Sequence, residues 1–306
     1  MAATLRTLTN RLGMPDPIVR ACQNDDYDRG PKTWRSVTQL TAPPRIAVLL
    51  DRFPEHRDVE DVSQFATRLM GTAVHSILEK ADKGGLCEQR MYLNMGGLII
   101  SGKPDHMSMS GDGLLTDYKT VKIWALSIPR LFAENMREWT HQLNLYALLF
   151  RETATTEVKA LQVAIPLING WNKREALRNP EYPQAEMAKY PVPLWSPEKQ
   201  LDYLNERIRL HEAAERELPL CTDEERWQEP AKYAVKKNGR KSAVRVLDHM
   251  DEALTLASSL RGYVEERPSV PKRCMDYCPM RTFCKTLNDG QWASTSEMEE
   301  EDEIRS

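Results

Sequence analysis

Two carboxylates and an amine are spaced in this chain so that adjacent strands can bring them together. In Asp117-Tyr118-Lys119-Thr120 the first and third residues share one face of a strand, because side chains alternate there. Gly102-Lys103-Pro104-Asp105 comes earlier, on a strand of its own, and the Ser110-Gly111-Asp112-Gly113 turn folds that strand back beside the Asp117 strand. Carboxylates held that close repel, and one has its pKa raised unless a cation sits between them. Asp105 and Asp117 are hard oxygen donors suited to Mg²⁺ or Mn²⁺. The backbone carbonyl of Tyr118 can add a third ligand, and His75 can close the shell from a helix. With Lys119 beside the metal to orient a nucleophile or stabilise charge developing on a phosphate, these are the parts of a phosphodiester hydrolase.

A single D-x-K is ordinary on a half-exposed strand, and one helical histidine is more often structural than a ligand. The signal lies in four patterns following one another on fitting elements. Gly71-x3-His75-x2-Leu78-Glu79 falls in a helix expected from Asp58 to Asp82, where Val62, Phe65, Leu69, Val74, Ile77 and Leu78 recur at three- and four-residue steps. From Met91 to Lys122 short apolar runs separated by Gly-rich turns predict a three-strand meander carrying Asp105, Asp117 and Lys119. Pro129 opens a helix to about Thr153, in which Gln142 and Tyr146, four residues apart, share a face. Val158 to Ile168 reads as a buried strand. A proline-rich surface excursion from Asn179 to Ser196 then precedes a helix from Pro197 to Glu217.

The series G-x3-H-x2-LE, G-x-x-D, D-Y-K-T and Q-x3-Y resembles the RecB-type branch of the PD-(D/E)XK nuclease superfamily, with bacteriophage exonucleases the nearest likeness, over residues 36 to about 168. The resemblance implies a restriction-endonuclease-like α/β core, a mixed central sheet flanked by helices. It makes His75, Asp105 and Asp117 metal ligands, Lys119 the catalytic lysine, and Gln142 and Tyr146 groove residues, although a core aromatic is as good a reading of Tyr146. Glu79, one turn beyond His75, is either a residue supporting the metal site or a surface glutamate. The implied activity is Mg²⁺- or Mn²⁺-dependent hydrolysis of DNA phosphodiesters from an end, in phage DNA recombination, repair or degradation. A structure-specific endonuclease, or a non-catalytic DNA-binding component of a replication or recombination complex, is the alternative.

The C-terminal run Cys274-x3-Cys278-x5-Cys284 places three thiols within eleven residues. It resembles the cysteine segment of the iron-sulfur members of the superfamily, such as the AddB and CRISPR-adaptation nucleases, where a distant fourth cysteine completes a 4Fe-4S cluster. Those families take the fourth from upstream of the nuclease motifs, where this chain has Cys22, whereas Cys221 is nearer in sequence; Cys221 is the expected ligand and Cys22 the alternative. Zinc is the competing metal, since tetrahedral thiolate sites suit it as well. Cys87 is expected to be a packed thiol.

Residues 232 to 245 hold Lys232, Lys236, Lys237, Arg240, Lys241 and Arg245 without an acid, on two short strands flanking Asn238-Gly239. Lys236, Lys237, Arg240 and Lys241 are candidate phosphate contacts, with a solvated, aggregation-resistant edge as the equal alternative. The 42 Lys and Arg against 45 Asp and Glu, a formal net charge of -3, confine any nucleic-acid contact to such a patch. No apolar run approaches a membrane span and no secretory leader is visible, so a cytoplasmic, non-membrane protein is expected, in the host cell if of phage origin. The domain reading is an N-terminal arm with little core (1–35), a nuclease core (36–218), a hairpin and cysteine-bound metal region (219–290) and a disordered acidic tail (291–306). The composition leaves oligomeric state open.

Overall fold

The computed structural model describes residues 8–23, 33–82, 84–87, 89–154 and 156–287; the acidic tail lies outside them, as does the side chain of Cys87. The chain is mixed α/β and divides into two compact units, 1–42 with 59–213, and 43–58 with 214–306. Among the described residues no helix is long and apolar enough to cross a membrane.

The first unit contains α1 (Ala66–Ala81), β1 (Met91–Met95), β2 (Leu98–Gly102), β3 (His106–Met107), β4 (Leu114–Lys122), α2 (Pro129–Thr153), β5 (Ala160–Asn169), β6 (Ala188–Val192) and most of α3 (Pro197–Arg216). One sheet runs β6-β5-β4-β3 and ends on Leu86–Cys87, with β4 and β5 parallel and the other pairs antiparallel. A second sheet pairs β2 with β1 and with Arg35–Ser36. The expected meander is therefore split between two sheets. The break falls at Lys103-Pro104-Asp105, where proline offers no N–H to a ladder, so Asp105 lies between strands rather than on one.

Helix α2 supplies much of the core: Leu143, Leu145, Leu148 and Leu149 are at most 1% exposed and pack with Ile100, Leu115, Val163 and Ile165. It crosses from β4 to β5, as a parallel pair requires. Helix α1 starts later than its apolar pattern predicts. Asp61 caps a tight turn at Val62–Gln64, accepting from the Ser63 N–H while its own N–H donates to Gln64 Oε1, and the α-helix begins only after Phe65. The proline-rich excursion contains β6, an edge strand, which is where Pro191 is tolerated. The N-terminal arm also has more structure than expected. Leu8–Thr9 pairs with Glu60–Asp61, and Cys22 packs with Val62 and Phe65 in a small apolar cluster.

In the second unit β7 (Lys232–Lys236) pairs with β8 (Arg245–Leu247), as the hairpin signal predicts, but through a loop of several residues in which Gly239 takes a φ of +82°. A further strand, β9 (Tyr263–Arg267), flanks β7 on its other side, and α4 (Met250–Leu260) covers the sheet with Ala253 and Ala257 against Val235. The helix Pro44–Arg52 belongs here too, a correction to its expected place in the nuclease core. Phe53 and His56 lie against the Phe283 ring, and the Asp58 N–H donates to the Pro279 carbonyl. The Arg45 guanidinium donates to the Leu218 and Pro219 carbonyls.

Candidate active site and cysteine centre

Strand β4 turns Asp117 and Lys119 to the same side, and Lys119 Nζ lies 2.7 Å from Asp117 Oδ2. Opposite Lys119 the parallel ladder slips: Tyr118 faces Ala164 but Thr120 faces Leu167, so β5 carries an extra residue there. That stretch contains Pro166, which has no N–H for the ladder, and such bulges commonly lie beside active sites. Asp105 uses the gap between strands to reach across. Its Oδ2 accepts from the Tyr118 N–H at 2.6 Å, and its Oδ1 lies 3.5 Å from His75 Nδ1 on α1. His75 also stands edge-on to the Tyr118 ring.

Burial first, and then the charge of Asp117, push the Asp105 carboxyl up to about 7, against the pull of His75, Lys119 and the Tyr118 N–H. Burial works against the Lys119 ammonium, but the Asp117 carboxylate, with Asp105 and Glu138, outweighs it and raises the pKa. Lys119 Nζ donates to Gln142 Oε1 at 3.1 Å, and Gln142 Nε2 donates to the Tyr146 hydroxyl at 3.3 Å. Tyr146 itself is 5% exposed and packs against Gly102, so it fixes the Gln142 amide from the core and does not face a groove. Glu79 is exposed. Sequence reasoning missed Glu138, whose charge bears on Lys119; its place one turn before Gln142, on the same helical face, was the available signal.

The second unit gathers Cys221, Cys274, Cys278 and Cys284. A ladder of Gln228–Glu229 with Val270–Pro271 ties the two stretches that carry them. Burial, with the neighbouring Glu225 and the other three thiols, pushes Cys221 up to about 12. Burial, with Cys274, Cys284 and Asp58 outweighing the Met280 N–H, pushes Cys278 up to about 11. Cys274 is raised by burial and by Cys284, while Arg226, Arg273 and Arg45 draw it down. Cys22 lies in the apolar cluster of the first unit. Among the described residues neither the four thiols nor Asp105, Asp117 and His75 are drawn into a closed metal shell; they are neighbours.

Of the basic residues, Lys236 forms an ion pair with Glu265 across the sheet, which competes with the phosphate contact expected of it. Lys237, Arg240 and Lys241 are exposed on the hairpin loop and form no ion pair among the described residues.

No protein-family model and no curated protein matches the chain. Solved structures similar to it include the following two. The crystal structure of SSO0001 is 18% identical with a TM-score of 0.40, over 61% of this chain and 80% of that one. A phage-related exonuclease from Haemophilus somnus 129PT is 12% identical with a TM-score of 0.35, over 57% and 80% respectively. Overlaps this loose assign no residue a role.

Proposed function

We propose that the first unit is a divalent-metal-dependent DNA phosphodiesterase with a restriction-endonuclease-like core, acting as an exonuclease, with Asp105, Asp117 and His75 holding the ion. The observation that carries this is the pair of neighbouring, largely buried carboxylates beside an ammonium, Asp105 being raised to about 7 by burial first and then by the charge of Asp117. That donor set fits a hard dication, and the Tyr118 carbonyl, next to an interrupted ladder, is a fourth candidate ligand. When bound, Mg²⁺ or Mn²⁺ supplies the positive charge the carboxylates lack and Lewis-acid activation of the phosphodiester.

The chain's own groups then have distinct tasks. The Tyr118 N–H fixes the Asp105 carboxylate, and His75 borders its other oxygen. Lys119, held by Asp117 and Gln142, presents a fixed ammonium to negative charge developing on the phosphate. Tyr146 sets which way the Gln142 amide points, so that its oxygen faces Lys119. In the second unit Lys237, Arg240 and Lys241, which form no ion pair among the described residues, read as phosphate contacts, and four neighbouring thiols, three of them (Cys221, Cys274 and Cys278) raised in pKa by burial and by their neighbours, fit a cation that stabilises thiolates, a 4Fe-4S cluster or Zn²⁺.

The test is end-labelled DNA, linear and circular, single- and double-stranded, incubated with and without Mn²⁺. Linear DNA should be degraded and closed circles spared. Lys119→Ala should cut turnover by roughly 10² or more while DNA and Mn²⁺ still bind. Wild-type turnover in a folded Lys119→Ala protein refutes the assignment, and cleavage of circles replaces exonuclease with endonuclease.

A further inference from the structure

Arg45 is 4% exposed, and its guanidinium is aimed at the cysteine set. Its Nε donates to Cys284 Sγ at 3.2 Å, and its second arm donates to the Leu218 and Pro219 carbonyls at 3.0 and 2.8 Å. These carbonyls belong to the stretch that leads into Cys221, so one side chain holds both the distant cysteine's stretch and the last of the clustered three. A neutral thiol is a weak acceptor and gives little return for burying a guanidinium, whereas a thiolate gives a charge-assisted bond.

We propose that Arg45 is a positioning residue for the cysteine centre: it donates a hydrogen bond to the Cys284 sulfur and supplies part of the positive charge that a four-thiolate centre requires. The inference rests on reading the four cysteines as a metal site. A centre with four thiolates is anionic, so the nearby cation stabilises its more electron-rich states and slows ligand loss. The residue comes from the helix Pro44–Arg52, far upstream of the four cysteines in sequence, a helix that belongs to the same unit as they do.

The test uses the full chain purified anaerobically, with Arg45→Gln, Arg45→Lys and Arg52→Gln beside the parent. Arg52 donates to the Glu215 carbonyl from the same helix and is the control for a merely structural tether. Metal analysis first decides between iron with sulfide and zinc. If iron, the reduction potential followed by electron paramagnetic resonance should fall in Arg45→Gln by roughly the equivalent of tenfold, ~59 mV for one electron, and by less in Arg45→Lys. If zinc, its transfer to a chelator should be about tenfold faster in Arg45→Gln. Arg52→Gln should leave both readouts at the parent value. Parent-like readouts in Arg45→Gln, or an equal change in Arg52→Gln, overturn the role of Arg45 alone. A parent chain with neither metal overturns it together with the cysteine reading.

Discussion

At the residue scale the site is defined by a charge it cannot hold alone. Asp105 keeps its proton to about 7 in the folded chain, against an ordinary value of 3.8. The folded state therefore binds that proton more tightly than the unfolded state, and without a divalent ion its stability should fall as pH rises from about 4 through 7. At 1.36 kcal/mol per pKa unit the loss is of order 2–4 kcal/mol. Asp105→Asn should escape it: in EDTA at pH 8 the variant should melt above the parent, and near pH 4 the two should coincide. Saturating Mn²⁺ should reverse the order by stabilising only the parent. Superimposable melting profiles in EDTA across this range would show that Asp105 is not under strain. The residues on each side of this pair were legible because D-x-K on a strand and an i, i+4 helical pair are fixed by local geometry. Glu138 was legible only as a glutamate one turn before Gln142 on the same helical face, and its bearing on Lys119 needs the strand opposite it to be known.

At the scale of elements, α2, α3, α4, β4 and β5 follow their local patterns to within a few residues, because each has a clear period and a proline or turn at an end. What local pattern could not tell was which sheet a strand would join. The Met91–Lys122 segment reads as one meander, yet Pro104 divides it, and β9 carries no turn signal that sets it beside β7. The Gly102 of the G-x-x-D motif belongs to this scale too. A Cβ there would meet Leu149 Cδ2 at 2.7 Å and the Tyr146 ring at 3.0 Å, so the glycine lets α2 lie close on β2. Gly102→Ala should destabilise the first unit by about 1–3 kcal/mol through overpacking. Because Tyr146 orients Gln142, it should also reduce turnover more than it reduces Mn²⁺ binding. Urea denaturation and steady-state kinetics check both halves, and a neutral effect on stability would mean the helix has room to retreat.

For the whole molecule, neither unit is a continuous stretch of sequence. Composition and motif order put one boundary near residue 218, close to where the second unit begins, but the segment 43–58 crosses over, and nothing in its own sequence marks that. Its apolar helix reads equally well as part of either core. The consequence is a sharp expectation for truncation. A chain ending after residue 213 keeps 43–58 but loses the carbonyls that Arg45 and Arg52 bind, the Phe283 ring and the Pro279 carbonyl. Ala47, Val48 and Leu49, each at most 4% exposed in the full chain, then sit on a helix stripped of those anchors. Such a chain should aggregate. Replacing 43–58 by a Gly/Ser linker of equal length should restore solubility and a cooperative melt, since a flexible linker costs little in loop entropy. Sedimentation and thermal melting of the two truncated chains decide the matter: equal solubility with and without 43–58 would mean that the segment is held by the first unit.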